Sequence, residues 1–322
     1  MGFAGLGRWS AMAVLLAALL GHAPRAQAQS AASAAEWSDV VGAETETRAN
    51  LVYRVAGGQE LKLDLYLPLA RQQRGPVPLA VYFHGGGWVS GSKEVATLRL
   101  LPYLQMGWAA ATVQYRLHGS APAPAAVEDA RCALRWLSYR ASELKIDPQR
   151  LVISGGSAGG HLALLAGMLP AGTPFDRACP TEGGDRWRNG REPALKVAAI
   201  VNWFGISDLN ALLQGPDAKH YAIEWFGAMP EAERERLARE LSPLTHVRAG
   251  LPPVITIHGE ADDVVPFSQA RRLHVALEQA GVVNRLIAIP GGGHGGFGRA
   301  ATARASAAVR EFLQAQGLVP MD

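Results

Sequence analysis

A short apolar strand passes directly into an apolar helix at residues 151–168, and only a turn of very small residues separates the two. The strand sequence LVIS is followed by GGSAGG, with Ser157 at its centre, and then by the helix sequence HLALLAGML. A short, continuously apolar strand is typical of a position buried on both faces of a sheet. Such a strand with a helix directly after it favours a parallel sheet covered by helices. The segment therefore predicts an α/β architecture.

The rest of the chain repeats this alternation. Strands are predicted at Leu51–Val55, Leu61–Leu67, Leu79–Phe83, Ala109–Tyr115, Leu151–Ser154, Val197–Phe204, Val254–His258 and Arg285–Ile289. Helices are predicted at Val127–Leu144, Ala158–Met168, Phe267–Gln279 and Ala300–Gln316. The first two strands flank a Gly57-Gly58 turn, which favours an antiparallel hairpin. The order predicts a mostly parallel sheet with helices on both faces, entered through that hairpin and carrying insertions at about 170–193 and 207–250.

The N-terminus has the features of a secretory signal peptide over residues 1–28. Arg8 precedes an apolar run of ten residues, and Ala26-Gln27-Ala28 provides a small-x-small cleavage pattern. Ten apolar residues are too few to span a bilayer, which needs about 20. We therefore expect cleavage near Ala28, export to the periplasm or beyond, a loose segment at 29–49 and the α/β domain at 50–322. No membrane insertion of the mature chain is expected.

Composition excludes several classes of protein. The 322 residues are 48% hydrophobic and 18% charged, which excludes a disordered chain. The formal net charge of +3 is too small for an electrostatic footprint on nucleic acid. The chain contains two cysteines, Cys132 and Cys179. Export permits a disulfide between them, and the sequence leaves open whether they pair or remain two thiols.

The turn around Ser157 fits the pattern G-x-S-x-G. At a sharp strand-to-helix corner this pattern lifts a serine hydroxyl clear of the sheet, next to the N-terminus of a helix. A dinucleotide-binding G-x-G-x-x-G does not fit, and no lysine follows as a P-loop requires. An ordinary strand–turn–helix connection is the remaining alternative. The pattern favours a nucleophilic serine.

A second glycine-rich loop, HGGGW at residues 84–88, ends the strand LAVYF. Consecutive glycines allow backbone N–H groups to face a cavity without obstruction by Cβ atoms. Two such donors, together with the N–H of Ala158, would hold the oxyanion that forms when an acyl carbonyl is attacked.

Two further loops supply an acid and a base. The sequence HGEADDVVP at 258–266 follows one apolar strand, and GGGHGGF at 291–297 follows the next. Parallel sheets place ligand sites at the carboxyl ends of their strands. Ser157, Asp262 and His294 occur in the order Ser…Asp…His, in which histidine accepts the serine proton and the carboxylate orients the imidazole.

These four motifs, in this order and spacing, resemble the α/β-hydrolase superfamily. More narrowly, they resemble its bacterial esterase/lipase branch with an HGGG motif, which includes hormone-sensitive-lipase-like and feruloyl- and acetyl-esterase-like enzymes. The resemblance covers about residues 50–316. It implies an α/β-hydrolase fold, a Ser157–Asp262–His294 triad and oxyanion donors at Gly86, Gly87 and Ala158.

Several other polar residues lie near these motifs and are alternatives for the same roles. The family pattern HGxxDxxVP selects Asp262 over Asp263. Asp208 is typical of a turn or helix cap, and His84, His161 and His258 are expected to pack or hydrogen-bond locally. The sequence shows no HExxH or CxxC spacing, so neither a metal nor a cofactor is expected.

The sequence predicts a serine esterase for small or polysaccharide-linked esters of short-chain, aryl or carbohydrate type. An amide-cleaving enzyme, either prolyl peptidase-like or formamidase-like, is the alternative within enzymes. A catalytically inert binding module is the alternative outside them. Four aromatic residues are candidates for the substrate pocket or for the core, with Trp88 and Trp225 taken as the substrate-binding pair; the others are Trp203 and Phe226.

Overall fold

An eight-stranded sheet lies at the centre of the part of the chain that the structure describes, and its strands follow the order β1-β2-β4-β3-β5-β6-β7-β8. The computed structural model describes residues 44–69, 74–179 and 195–319. The strands are β1 (Thr45–Ala56), β2 (Gln59–Pro68), β3 (Val77–Phe83), β4 (Ala109–Val113), β5 (Ile146–Gly156), β6 (Ala199–Trp203), β7 (Val254–Gly259) and β8 (Asn284–Ile289). The pairs β1–β2 and β2–β4 are antiparallel, and the other neighbours are parallel.

Helices cover both faces of this sheet. In the described ranges they are α1 (Leu101–Gln105), α2 (Ala125–Tyr139), α3 (Ala141–Leu144), α4 (Ala158–Met168), α5 (Asn210–Leu213), α6 (His220–Phe226), α7 (Glu231–Glu240), α8 (Ser268–Gln279) and α9 (Gly298–Ala315). Short 3-10 helices lie at Glu94–Leu100, Pro174–Ala178 and Pro243–His246. None of the described helices is both long enough and apolar enough to cross a bilayer.

The core explains the continuously apolar strands. Every residue of β4 is buried, and six of the seven residues of β3 are buried. Alternate residues of β3 enter opposite hydrophobic clusters: Leu79, Val81 and Phe83 enter one, and Ala80 and Tyr82 enter the other. A strand with apolar neighbours on both faces has no need for polar alternation. The predicted fold class, an α/β-hydrolase sheet entered through an antiparallel hairpin, is confirmed.

The start of the fold differs from the prediction. Strand β1 begins at Thr45, so residues 45–49 belong to the sheet rather than to a loose segment, and the compact unit starts at 45 rather than 50. The polar character of TETRAN misled the prediction. As an edge strand, β1 exposes much of its length and tolerates polar side chains. The predicted signal peptide at 1–28 lies outside the described residues.

Cys132 and Cys179 form a disulfide, with their Cα atoms 4.9 Å apart. This bond ties the beginning of the first insertion to helix α2. Next to it, the Arg131 guanidinium donates to both carboxylate oxygens of Asp176, at 2.7 and 2.6 Å. The sequence had left the pairing of the cysteines open, and the structure settles it. Most of the remainder of this insertion lies outside the described residues.

The second predicted insertion, at 207–250, contains α5, α6, α7 and the 3-10 helix Pro243–His246. It packs against the HGGGW loop at residues 84–88 through stacked indoles, since the ring centroids of Trp88 and Trp225 lie 4.2 Å apart. The carbonyl of Trp225 also accepts a hydrogen bond from the N–H of Ala123 at 3.1 Å. The insertion therefore packs into the main core beside the HGGGW loop.

Candidate active site

Ser157 occupies a strained corner between β5 and α4. Its φ and ψ of 57° and −123° lie where a side chain other than glycine is rarely found. Its N–H donates to the carbonyl of Trp203 at 2.9 Å, which ties the corner to β6. A Cβ on Gly159 would overlap the carbonyl oxygens of Phe83 and His84, so only glycine permits this approach of helix and strand. The corner has the geometry of a nucleophile elbow.

The HGGGW loop lies directly against this corner. A Cβ on Gly85 would lie 3.4 Å from the Cβ of Ser157. Gly86, Gly87 and Trp88 all have positive φ, of 113°, 60° and 61°. Within the described part of the chain, the N–H groups of Gly86 and Gly87 are absent from the backbone hydrogen bonds. They are available as donors to a ligand in the cavity beside Ser157.

His294 and Asp262 form a hydrogen-bonded pair on neighbouring loops. The Nδ1 of His294 lies 2.8 Å from Oδ2 of Asp262, and the His294 side chain is 22% exposed. Because a carboxylate only accepts, Nδ1 carries the hydrogen of this bond, and in the neutral ring the acceptor nitrogen is then Nε2. The imidazole also packs edge-on against the ring of Phe204, with 4.8 Å between centroids. Asp262 thus fixes both the orientation and the tautomer of the ring.

Asp262 is held by more than this histidine. Its Oδ1 accepts the N–H groups of Val264 and Val265 at 2.9 and 2.8 Å, and the Nε2 of buried His258 lies 3.3 Å from Oδ2. Burial raises the pKa of Asp262, but the hydrogen bonds from His258, His294 and Val265 outweigh it. The pKa consequently lies well below its usual range. The carboxylate of the folded protein is therefore charged near neutral pH.

A cavity of about 470 Å³ opens over these groups. Ser157, His294, Gly86 and Gly87 line it. Asp262 and Ala158 are buried behind the part of the cavity wall that the structure describes and do not line it. Ala158 is the first residue of α4, so its N–H lies at the free end of the helix beside Ser157. The residues predicted from the sequence as triad and oxyanion donors therefore converge on one site.

The prediction of substrate-binding tryptophans is wrong. Trp88 and Trp225 are fully buried, and their indoles stack on each other within the core. Phe226 is also buried, and none of these three residues, nor Trp203, lines the cavity among the residues that the structure describes. Aromatic residues near a site satisfy core packing as readily as substrate contact, and the sequence does not distinguish the two.

Sequence reasoning missed the side chains that do line the cavity. These include Tyr82, Arg99, Phe204 and Tyr221. Tyr82 offered a signal, because it is the one hydroxyl-bearing residue of the strand LAVYF and lies two positions before His84, on the same face of the strand. Arg99 offered none, since it lies in a segment with no recognisable motif.

The other acids and histidines that the sequence offered near these motifs make local contacts in the fold. Asp263 is exposed, whereas Asp262 is buried. Asp208 accepts the Ala211 N–H at 3.3 Å and pairs with Arg272 at 2.9 Å, as expected for a turn residue. His161 is buried and donates from Nε2 to the carbonyl of Leu241 at 2.7 Å. His84 donates from Nδ1 to the Gly85 carbonyl at 2.7 Å, which braces the glycine loop.

Two known protein families match the sequence over the segments that carry the candidate site. The BD-FAE family covers residues 63–277, and the family described as TAP-like protein covers residues 233–322. The chain belongs to the BD-FAE family of α/β-hydrolases. The BD-FAE match contains Ser157 and Asp262, and His294 falls within the TAP-like match.

Relatives of this BD-FAE chain include a probable carboxylic ester hydrolase, LipM, of Mycobacterium tuberculosis. It is 30% identical over 66% of this chain and 48% of its own length. Esterase LipQ of the same organism is 28% identical over 80% of this chain and 60% of its own length. The chain therefore spans about half the length of these curated relatives.

Solved structures match the BD-FAE chain along almost their full length. Esterase Est2 of Thermogutta terrifontis with propionate bound is 30% identical, with a TM-score of 0.69, and the match covers 87% of this chain and 97% of Est2. A form of Est2 phosphorylated by paraoxon is 28% identical, with a TM-score of 0.67 and coverage of 87% and 97%. A truncated carbohydrate esterase from gut microbiota is 26% identical, with a TM-score of 0.68 and coverage of 84% and 97%.

Proposed function

We propose that this protein is a serine carboxylic-ester hydrolase that acts through Ser157, His294 and Asp262. One observation carries the proposal: Ser157, on its strained corner, shares a cavity with a histidine whose Nδ1 is bound by a charged carboxylate. Two glycine N–H donors line the same cavity. The esterases among its relatives support ester hydrolysis as the reaction.

In the first half of the reaction, the lone pair on Nε2 of His294 takes the proton of the Ser157 hydroxyl as the oxygen attacks the ester carbonyl. Charge develops on the carbonyl oxygen. The N–H groups of Gly86, Gly87 and Ala158 stabilise it, because they are oriented before the reaction begins. Asp262 stabilises the imidazolium that forms. The alcohol then leaves with the proton from Nε2, and the acyl group remains on Ser157.

In the second half, water takes the place of the alcohol. His294 removes a proton from the water as it attacks the acyl carbonyl, and the same three N–H groups bind the oxyanion. The tetrahedral intermediate collapses, Ser157 recovers its proton from His294, and the acid is released. Each half uses the same groups, so loss of one of them affects both steps.

The substrates we propose are short-chain, aryl or carbohydrate-linked acyl esters. The cavity of about 470 Å³ is within the range of small-molecule sites and supports a compact acyl group. A panel of acetyl, butyryl, palmitoyl and feruloyl esters, run beside the matching amides, tests this scope. Dominant turnover of the palmitoyl ester contradicts the short-chain proposal. If the amides are hydrolysed faster than the esters, the proposed activity is that of an amidase rather than an esterase.

The role of Ser157 is tested by Ser157→Ala, with hydrolysis of p-nitrophenyl acetate as the assay. We expect kcat to fall by several orders of magnitude while the CD spectrum stays unchanged. Ser142→Ala, at an exposed serine of α3, is the matched control and should keep wild-type activity. Wild-type turnover by Ser157→Ala would remove Ser157 from the mechanism.

We also propose that the protein is exported. The signal-like pattern at 1–28 supports this, and so does the disulfide between Cys132 and Cys179, because disulfides persist in oxidising compartments. N-terminal sequencing of protein recovered from the periplasm or medium should begin just after Ala28. Retention of the whole chain in the cytoplasm contradicts the proposal.

A further inference from the structure

One wall of the cavity is built from the 3-10 helix Glu94–Leu100, which follows the glycine loop closely in the chain. Val95, Ala96 and Arg99 of this helix line the cavity. Val95 is 73% exposed, and its neighbour Leu98 is 75% exposed, although both are apolar. Arg99 is also exposed. The wall therefore presents apolar surface and a guanidinium at the mouth of the site.

The charge of Arg99 is not neutralised by a carboxylate. Within the described ranges, Arg99 takes part in none of the ion pairs, and no aspartate or glutamate lines the cavity. Lys93, directly before the same 3-10 helix, differs from Arg99 because carboxylates do neutralise its charge. Lys93 is buried, and its Nζ binds Asp64 at 2.7 Å and Glu94 at 2.6 Å. Glu94, the nearest carboxylate in sequence, is thus engaged by Lys93.

Tyr82 also lines the cavity, next to the turn that carries Ser157. Its hydroxyl would lie 3.0 Å from a Cβ placed on Gly156, the residue before Ser157. Burial raises the pKa of Tyr82 to about 12, and the charge of Arg99 acts in the opposite direction. The phenol therefore keeps its proton near neutral pH and is a hydrogen-bond donor. A cation and a neutral donor therefore line the same cavity, and the Tyr82 hydroxyl lies against Gly156, the residue before Ser157.

We propose that Arg99 is a specificity residue that selects esters bearing a carboxylate, with the Tyr82 hydroxyl as a second donor to such substrates. The inference rests on the proposed ester hydrolysis and adds the substrate class. A guanidinium binds a carboxylate through two parallel hydrogen bonds, which supplies orientation as well as attraction. The exposed Val95, which lines the cavity, provides apolar surface for the body of the substrate. An anionic aryl or acyl ester fits both features.

The test compares 4-acetoxybenzoate with 4-acetoxybenzamide. The two esters have the same acetyl group and nearly the same shape, and they differ in the charge at the far end of the ring. Release of the phenol is measured by absorbance, and kcat/KM is determined for wild type and Arg99→Gln. The readout is the ratio of kcat/KM for the anionic and the neutral ester. The change in that ratio between the two proteins cancels the intrinsic reactivity of the two leaving groups.

We expect Arg99→Gln to lower this ratio about fivefold to tenfold, the size expected of one charge pair at a partly solvated site. The loss should appear in KM, and Arg99→Lys should retain part of the preference. Added salt should weaken the wild-type preference, because exposed charges are screened. Arg285→Gln removes an exposed arginine at the amino end of β8 and is the matched control, for which the ratio should not change.

The outcomes separate the two proposals. If wild type hydrolyses neither ester, the proposed esterase function fails. If wild type hydrolyses both and Arg99→Gln leaves the ratio unchanged, ester hydrolysis stands and the carboxylate site is refuted. A ratio that falls equally in Arg285→Gln also refutes it, because the effect would then follow net charge rather than the position of Arg99.

Discussion

Replacement of Trp225 by alanine should destabilise the protein strongly without weakening substrate binding directly. The Trp225 indole is fully buried and stacks on Trp88 with 4.2 Å between centroids. It also meets His161 and Phe226 edge-on, with centroids 5.6 and 5.4 Å away. The side chain fills space between the second insertion and the glycine loop.

The expected cost follows from this burial. A buried tryptophan removes about 200 Å² from water, which at about 25 cal/mol per Å² corresponds to about 5 kcal/mol. Measured tryptophan-to-alanine substitutions in cores cost about 3–5 kcal/mol, because the cavity collapses to different extents. In the described structure the indole Nε1 of Trp225 has no hydrogen-bond partner. Trp225→Phe should therefore lose packing but no hydrogen bond, and cost about 1–2 kcal/mol.

Urea denaturation followed by far-UV circular dichroism measures these costs, since the midpoint falls with the free energy of unfolding. KM for p-nitrophenyl acetate is measured below the transition. A core residue predicts a large drop in midpoint for Trp225→Ala, a smaller one for Trp225→Phe, and a KM close to wild type for Trp225→Phe. If instead both variants keep the wild-type midpoint and raise KM about tenfold, Trp225 contacts substrate and the assignment to the core is wrong.

Three further predictions concern Asp262 and the disulfide. Asp262→Asn should lower kcat about 10⁴-fold in a pH–rate assay. The reason is that an amide can donate to Nδ1 of His294, which favours the tautomer whose Nε2 cannot accept a proton. A loss of less than tenfold contradicts the role of Asp262 in fixing the tautomer. The pKa of Asp262 is depressed in the folded state, so its contribution to stability is present above about pH 4 and is lost as the pH falls further. Acid titration of unfolding should therefore be less steep in Asp262→Asn, and an unchanged slope would argue against a charged Asp262. Replacement of Cys132 and Cys179 by serine should cost about 4 kcal/mol, from the chain entropy of the loop across 47 residues, and an unchanged urea midpoint would show that the bond does not stabilise the fold.

The sequence predicted best those parts of the fold in which burial or close packing allows only a few residue types. The strands of the parallel sheet were predicted because burial on both faces demands continuous apolar runs, and α4 was predicted with its exact bounds, Ala158–Met168. The arrangement around Ser157 was readable because the close approach at Gly159 excludes any side chain. In this turn the glycines indicate the backbone geometry, because no other residue type fits it.

Other features depend on distances that no local pattern records. Whether Cys132 meets Cys179 depends on how the first insertion folds back onto α2, and that path has no periodicity. The burial of Trp88 depends on its partner Trp225, which is far away in the chain. Arg99 faces the cavity because a 3-10 helix follows the glycine loop, and neither the helix nor its orientation has a sequence signature. Tertiary packing decided each of these cases.

Covalent labelling tests the central claim most directly. Paraoxon or a fluorophosphonate probe should add one group per molecule, measured by intact mass spectrometry, and tryptic mapping should place it on Ser157. The Ser157→Ala protein should remain unlabelled under the same conditions. Absence of labelling in the wild type, or an adduct on another residue with Ser157 unmodified, would contradict the assignment of Ser157 as the nucleophile.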